Sequence, residues 1–410
     1  MILTSEVRGQ IVGDKGSYST LMWLLLHYGL VFRYRFTFSR TASASRRRCT
    51  KSTLPYHELR KDTRALVERS GCKVHGSPQF TKVYRHYVHR FCETIQAGLK
   101  EKIGSSIDPV ASRKLEADLG EVGANRGIMP DFSNVEALRG YALRHFGRTR
   151  LMSDLVTQSE PDWLSDRISD FFQGNRVGNS CEPSSHRCIN VASLGGGPGF
   201  DFLCFSALSN FVGGPIVSTT VHEYESSWKD IVASVEQVVQ DVCNSSRYEC
   251  GFDSCDITVA LNAATNERIA FSVGSTEIYT CSYVIAENAA KLSKGDFKFF
   301  RDLFSEAPQG TLFFFTETTH RLWPDIIDMA RSASMRVAIP HLRSGKVGWQ
   351  LALLKDARYC VGDNVGDVVM SGVNKELYER FKRDNRAHLA RLDRGWKRER
   401  PKGRGAKERN

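Results

Sequence analysis

The chain has 410 residues, 41% hydrophobic and 25% charged, an ordinary balance for a soluble globular protein and too apolar for a chain that cannot build a core. That length suits one large core with appendages or two modest domains. The formal net charge of +11 is less ordinary, and it is concentrated at the ends. Residues 15 to 57 hold eight Lys/Arg and no acid, and residues 374 to 410 hold fourteen Lys/Arg against six acids, while residues 58 to 373 carry 34 bases and 38 acids. Basic ends on a near-neutral body suit an anionic partner such as nucleic acid, or a targeting machinery.

Residues 1 to 57 read as a leader outside the fold. "TLMWLLLHYGLVF", 20 to 32, is too short to span a bilayer and is interrupted by His27 and Gly29. The acid-free, Arg/Ser-rich stretch that follows has the character of an organelle transit peptide. A secretory signal and a true start at Met22 are the alternatives. The expected location is intracellular: mitochondrion or plastid if the leader is a transit peptide, otherwise nucleus or cytoplasm. The eleven cysteines contain no CxxC pair. The nearest metal patterns, Cys181, His186 and Cys188, then Cys243, Cys250 and Cys255, are too loosely spaced, so reduced thiols and no structural zinc are expected.

From 58 to 174 the pattern is helical. Phe80, Val83, Tyr84, Tyr87, Val88, Phe91 and Ile95 recur at three-and-four spacing, which predicts an amphipathic helix over 77–104. Asp108 followed by Pro109 reads as a helix start, and two further helical stretches follow, 133–158 and 161–174. Beyond 174 the period changes. "CINVASL", "PIVSTTVHEY", "YECGFDSCDI", "EIYTCSYVIAEN" and "GTLFFFTETT" are strand-like, and helical segments at 200–211, 226–242, 296–305 and 323–333 lie among them. This alternation predicts an α/β fold with a doubly wound parallel sheet. "MRVAIPH" and "VGWQLALLKD" are joined by so short a turn that they must be antiparallel. The expectation is therefore a mostly parallel seven-stranded sheet ending in an antiparallel hairpin, over 175–360, behind an N-terminal helical region. A linker and basic helix over 361–396, with Leu377, Phe381, Leu392 and Trp396 on one face, would lead into a disordered basic tail, 397–410.

"ASLGGGPGF", 192 to 200, sits between the first strand and the first helix of this region. Gly195, Gly196, Gly197 and Gly199 exceed what a tight turn needs, which points to a ligand approaching bare backbone at a helix N-terminus. No Lys follows, so a GxxxxGK phosphate loop is excluded. The third glycine of a GxGxxG dinucleotide fingerprint would fall on Phe200. GxGxG fits, as Gly195–Gly197–Gly199.

With that spacing and the terminal hairpin, residues 185 to 356 resemble the class I S-adenosylmethionine-dependent methyltransferases. The resemblance implies S-adenosyl-L-methionine as cofactor, held by the four glycines and Ser282. It also implies that Glu223, ending the second strand, accepts the ribose hydroxyls and that Asp256 faces the adenine amino group. The family often has an acid two residues before the first glycine; here Ser193 stands there, leaving the cofactor's amino end to backbone carbonyls or another side chain. Catalytic candidates follow the fourth strand: Glu287 as proton acceptor, Asn288 as holder of an amide or base edge, and Tyr283. Glu287 and Asn288 have the alternative role of capping the next helix. "TCS…EN" also resembles a segment of RNA cytosine-5 methyltransferases, which would make Cys281 a nucleophile, though that family's strand placement and Pro-Cys motif are missing. His222 and His320 are further pocket candidates. The expected acceptor is RNA or a ribonucleoprotein, reached through the basic tail. Protein or small-molecule methylation, and a non-catalytic assembly role, are the alternatives.

Overall fold

The computed structural model describes residues 78–123, 130–157, 161–173, 187–339, 349–357 and 375–399. The leader, the turn between the last two strands, the linker at 361–374 and the tail beyond 399 lie outside them.

Five helices come first: α1 (Pro78–Ile103), α2 (Pro109–Gly123), α3 (Val135–Arg144), α4 (Arg148–Val156) and α5 (Asp162–Gln173). The spacing read from the sequence places α1 to within a residue at each end. Asp108 starts α2 as expected, its Oδ1 accepting the N–H groups of Val110 and Ala111. The stretch expected as one helix over 133–158 is two, broken at His145–Gly147, where a glycine interrupts the apolar stripe. That break places Arg148 at the head of α4, and it matters below.

The α/β part runs β1 (Cys188–Leu194), α6 (Phe200–Val212), β2 (Ile216–Glu223), α7 (Lys229–Cys243), β3 (Tyr248–Ser254), α8 (Glu267–Ser272), β4 (Ile278–Ser282), α9 (Ala289–Lys294), α10 (Lys298–Glu306), β5 (Leu312–Glu317), α11 (Trp323–Ser332), β6 (Met335–Ala338) and β7 (Trp349–Lys355). A last helix, α12 (Lys375–Glu399), follows. The seven strands form one sheet in the order β3-β2-β1-β4-β5-β7-β6. β1 to β5 are parallel, and β7 runs antiparallel to both β5 and β6. The doubly wound sheet and its terminal hairpin are as the sequence predicts.

Strand alternation divides the core. Ile278, Leu312 and Phe314 point to one face, and Tyr279, Cys281, Phe313 and Phe315 to the other. On the first face, α1, α4 and α5 pack with α6 and α7 into the same apolar cluster as the strands. Tyr84, Tyr87 and Phe80 of α1 surround Phe211 of α6 at ring-centroid distances of 5.3, 5.0 and 5.5 Å. The other face is covered by α8 to α11 and by Phe381 of α12. With both faces covered, the remaining place for a ligand is the edge where strand carboxyl ends meet loops. In an open α/β sheet that is the switch point, here between β1 and β4, where the chain turns back across the sheet.

Candidate cofactor cleft

A cleft of about 360 Å³ opens at that switch point. Its floor is the glycine loop. Gly195, Gly197 and Gly199 have φ of 59°, 47° and 81°, a left-handed backbone that favours glycine. The three glycines are required for different reasons. A Cβ on Gly195 would lie 2.6 Å from Val284, so that position needs both the conformation and the space. At Gly197 and Gly199 a Cβ would meet nothing nearer than 3.8 Å, so the turn itself is the constraint. Gly195, Gly196 and Gly197 line the cleft; Gly199 caps α6 and faces Val221 and Cys250 beneath the loop.

Around this floor the β-strand ends deliver acids. Glu223, the last residue of β2, turns its carboxylate toward the loop, accepting the N–H of Gly197 at 3.1 Å and that of Tyr224 at 3.0 Å. Burial raises its pKa, partly offset by those N–H donors. Asp256 accepts the N–H and hydroxyl of Thr258 on Oδ1, at 2.9 and 2.6 Å, and Asn266 fixes its backbone N–H at 2.8 Å. Ser282, Tyr283, Glu287 and Asn288 also line the cleft. Of the residues singled out for cofactor and catalysis, the fold therefore brings all but Gly199 to one surface.

Four assignments from sequence change in the structure. Cys281 is 1% exposed, points into the core, and burial holds its thiol far above the ordinary range, so it is no thiolate at the cleft. His222 is buried in the sheet, its backbone carbonyl holding Gly195 N–H at 2.8 Å, and it is not among the lining residues. His320 lines a different cavity. Asn288 does not cap α9 through its side chain; its Nδ2 donates back to Val284 O at 3.0 Å.

The site holds groups that the sequence reading passed over. Asp201, in the first turn of α6, is 2% exposed and lines the cleft. Its Oδ2 accepts the hydroxyls of Thr280 at 2.6 Å and Ser193 at 2.9 Å, and its Oδ1 that of Ser282 at 2.9 Å. Ser193, standing where the motif often has an acid, thus orients an acid supplied from eight residues onward. The pattern "GFD" after the loop was the available signal. Glu317, at the end of β5, sits behind the wall, accepting the N–H groups of Ile285 and Ala286 at 2.7 and 3.1 Å while Oε2 stays buried without a partner. Burial pushes Glu317 up to about 7, and burial together with the neighbouring Glu317 pushes Glu287 up to about 8.

The opposite wall comes from the helical region. Phe132, Ser133, Tyr141 and Arg148 line it. Tyr141 packs against Trp228 at 5.6 Å, and the Arg148 guanidinium lies 4.1 Å from the ring centre of Tyr283 and 5.3 Å from that of Tyr141, to whose hydroxyl it also donates. Tyr283 reaches Arg148 from a backbone with φ of 65°, a conformation that side chains other than glycine rarely hold, pinned by its N–H to Thr316 O at 2.8 Å.

No protein-family model matches the sequence, and no curated protein matches it. Solved structures similar in fold include the citrinin polyketide synthase CMeT domain, with 12% identity, 74% of this chain and 96% of that one covered, and a TM-score of 0.30. Fibrillarin from Aeropyrum pernix, solved with natively bound S-adenosyl-L-methionine, has 12% identity over 43% of this chain and 70% of its own, with a TM-score of 0.27. The antibiotic-resistance methyltransferase Kmr has 9% identity over 42% of this chain and 89% of its own, with a TM-score of 0.30. By its own strand order and antiparallel end hairpin, the chain carries the fold of the class I S-adenosylmethionine-dependent methyltransferases.

Proposed function

We propose that the chain is a methyltransferase that takes S-adenosyl-L-methionine at this cleft and RNA as the methyl acceptor. The observation that carries the donor is the sign of the cleft. Among the described lining residues six are acidic (Asp131, Asp201, Glu223, Glu225, Asp256 and Glu287) and two basic (Arg148 and Lys291). Such a lining repels the pyrophosphate of a dinucleotide and favours a ligand bearing a sulfonium and an ammonium. Glu223 faces the glycine loop and fits a sugar diol, which has two donors and needs a carboxylate. Asp256, with Ile257 beside it in the lining, suits an amino-bearing ring edge. Asp201, held by three hydroxyls, supplies the anion for the ammonium that Ser193 does not.

The bound donor supplies an activated methyl group. The chain's part is to orient, to exclude water and to accept a proton. Glu287, raised to about 8 by burial and the neighbouring Glu317, would take that proton in the ionised form, whose share grows as pH rises toward 8. Arg148, stacked between two tyrosine rings, fixes the far wall against which a planar acceptor would lie. RNA is favoured over protein or small-molecule acceptors by the basic ends of the chain. The leader's composition supports import into an organelle, which a reporter fused to residues 1 to 57 would test.

Calorimetry is the first test, with S-adenosyl-L-methionine and NAD titrated separately into the full chain. Heat from the sulfonium ligand and none from the dinucleotide is the expected result; the reverse, or silence from both at millimolar ligand, ends the donor assignment. Labelled methyl donor incubated with fractionated extract then reads the acceptor, and label confined to protein or small molecules ends the RNA assignment.

A further inference from the structure

A second cavity, of about 270 Å³, lies where α12 docks on the loop after β5. It is lined by Thr319, His320, Arg321, Trp349, Asp384, Ala387, His388 and Arg391. The docking is specific. Asn385 Nδ2 donates to Arg321 O at 2.8 Å and to Asp325 Oδ2 at 2.6 Å, tying helix to loop. His320 is held between Trp349 and Phe381, with ring centres 4.4 and 4.6 Å away, and its Nε2 meets Asp384 Oδ2 at 2.8 Å.

The charge balance is the reverse of the cofactor cleft. Asp384 is the one carboxylate among the described lining residues, and it is engaged with His320. Arg321 and Arg391 have no ion-pair partner among the described residues, and His320 Nδ1 is buried without a hydrogen bond. Burial, and then the two guanidiniums, hold His388 below its ordinary pKa, as a local positive potential would. A half-buried indole, Trp349, borders the same space. Two guanidiniums, imidazole nitrogens and an aromatic face are the elements by which proteins hold a phosphate and the base attached to it.

We propose that this cavity is a phosphate-oxyanion site, and that the oxyanion belongs to the backbone of a single-stranded RNA whose neighbouring base meets Trp349. The location supports that source. Glu317 holds the wall of the cofactor cleft, and Thr319 and Arg321 line the second cavity from two and four residues further on. A strand anchored at Arg321 and Arg391 therefore lies along the same sheet edge as the cleft. Beyond Arg391 the chain adds further Lys/Arg, which would extend the contact without specificity.

The test uses the full chain and no methyl donor, so its result stands apart from the donor assignment. Anisotropy of a short labelled single-stranded RNA is followed against salt for two doubly substituted variants that each remove two charges. One is Arg321→Gln with Arg391→Gln in the cavity; the other is Arg383→Gln with Arg386→Gln, both exposed on α12. The cavity pair is expected to weaken binding about tenfold and lower the salt slope by about 2, the exposed pair by less than about threefold. Inorganic phosphate alone is titrated in parallel, reading the emission lost in Trp349→Phe. If phosphate quenches that emission through the two arginines while RNA affinity ignores them, the oxyanion site stands and its source is free phosphate. Equal weakening by both pairs, with no phosphate signal, overturns the proposal. Melting curves accompany each variant, and if the cavity pair unfolds, Arg391→Gln alone, exposed at the mouth, repeats the reading.

Discussion

The two walls of the cofactor cleft are built on different principles. The sheet wall holds acids at strand ends and in the first turn of α6, each fixed by backbone N–H groups or buried hydroxyls: Glu223 by Gly197, Asp201 by Thr280, Ser193 and Ser282. The helical wall holds one acid, Asp131, but is otherwise rings and one cation, Tyr141, Phe132 and Arg148, fixed by packing on Trp228 and Tyr283. Backbone-anchored charge gives a rigid recognition surface whose geometry the fold dictates. Ring packing from a separate layer can be exchanged without disturbing the sheet. On the function proposed above, the donor would meet the first wall and the acceptor the second.

Substitutions that separate the walls test this assignment. Gly195→Val should have the largest effect, because the φ is positive and a Cβ would lie 2.6 Å from Val284. Donor affinity is expected to fall more than about 100-fold, with a lower melting temperature, seen by calorimetry and thermal melting. Glu223→Gln removes the charge that would hold the sugar hydroxyls, and about 10- to 100-fold weaker donor binding is expected. Asp201→Asn acts at the other end of the ligand and should cost about tenfold, with no further loss for a donor analogue lacking the amino group. Arg148→Ala, on the helical wall, should leave donor affinity within about threefold and lower turnover about 10- to 100-fold. Comparable loss of donor binding from both walls would dissolve the distinction.

The smallest effect expected is in pH dependence. If Glu287 accepts the proton, turnover should rise with pH and level off above about 8, and Glu287→Gln should flatten that rise. Stability should move the other way. Glu287 binds its proton more tightly folded than unfolded, so between its unfolded pKa, near 4.3, and about 8 the native state holds more protons, and stability falls as pH rises. Melting temperatures from pH 5 to 8 should therefore drop more in the wild type than in Glu287→Gln. Parallel curves would show that Glu287 is not held in its protonated form.

Local pattern was enough for much of this molecule. The apolar spacing of 77–104, the cap at Asp108, the seven strand-like runs and the short connection before β7 each depend on neighbours in sequence. Periodicity and turn length therefore determined most of the longer helices, the sheet and its antiparallel end, but not the break at His145–Gly147 or the short helices α8 and α9. The glycine loop, Glu223, Asp256 and the residues after β4 were legible for the same reason: strand ends and the loop after β1 meet at the switch point once the topology is known. Only the tertiary structure decided what depends on distance across the chain. Asp201 became a site residue because Thr280 and Ser282, some eighty positions away, point hydroxyls at it. Arg148 entered the cleft because α4 packs over α6, and His320 left it because α12 closes another cavity around it. Strand alternation, likewise, sent Cys281 into the core and its neighbour Ser282 to the cleft. A sequence specifies its local conformations residue by residue, whereas a long-range contact exists only after burial has brought its partners together.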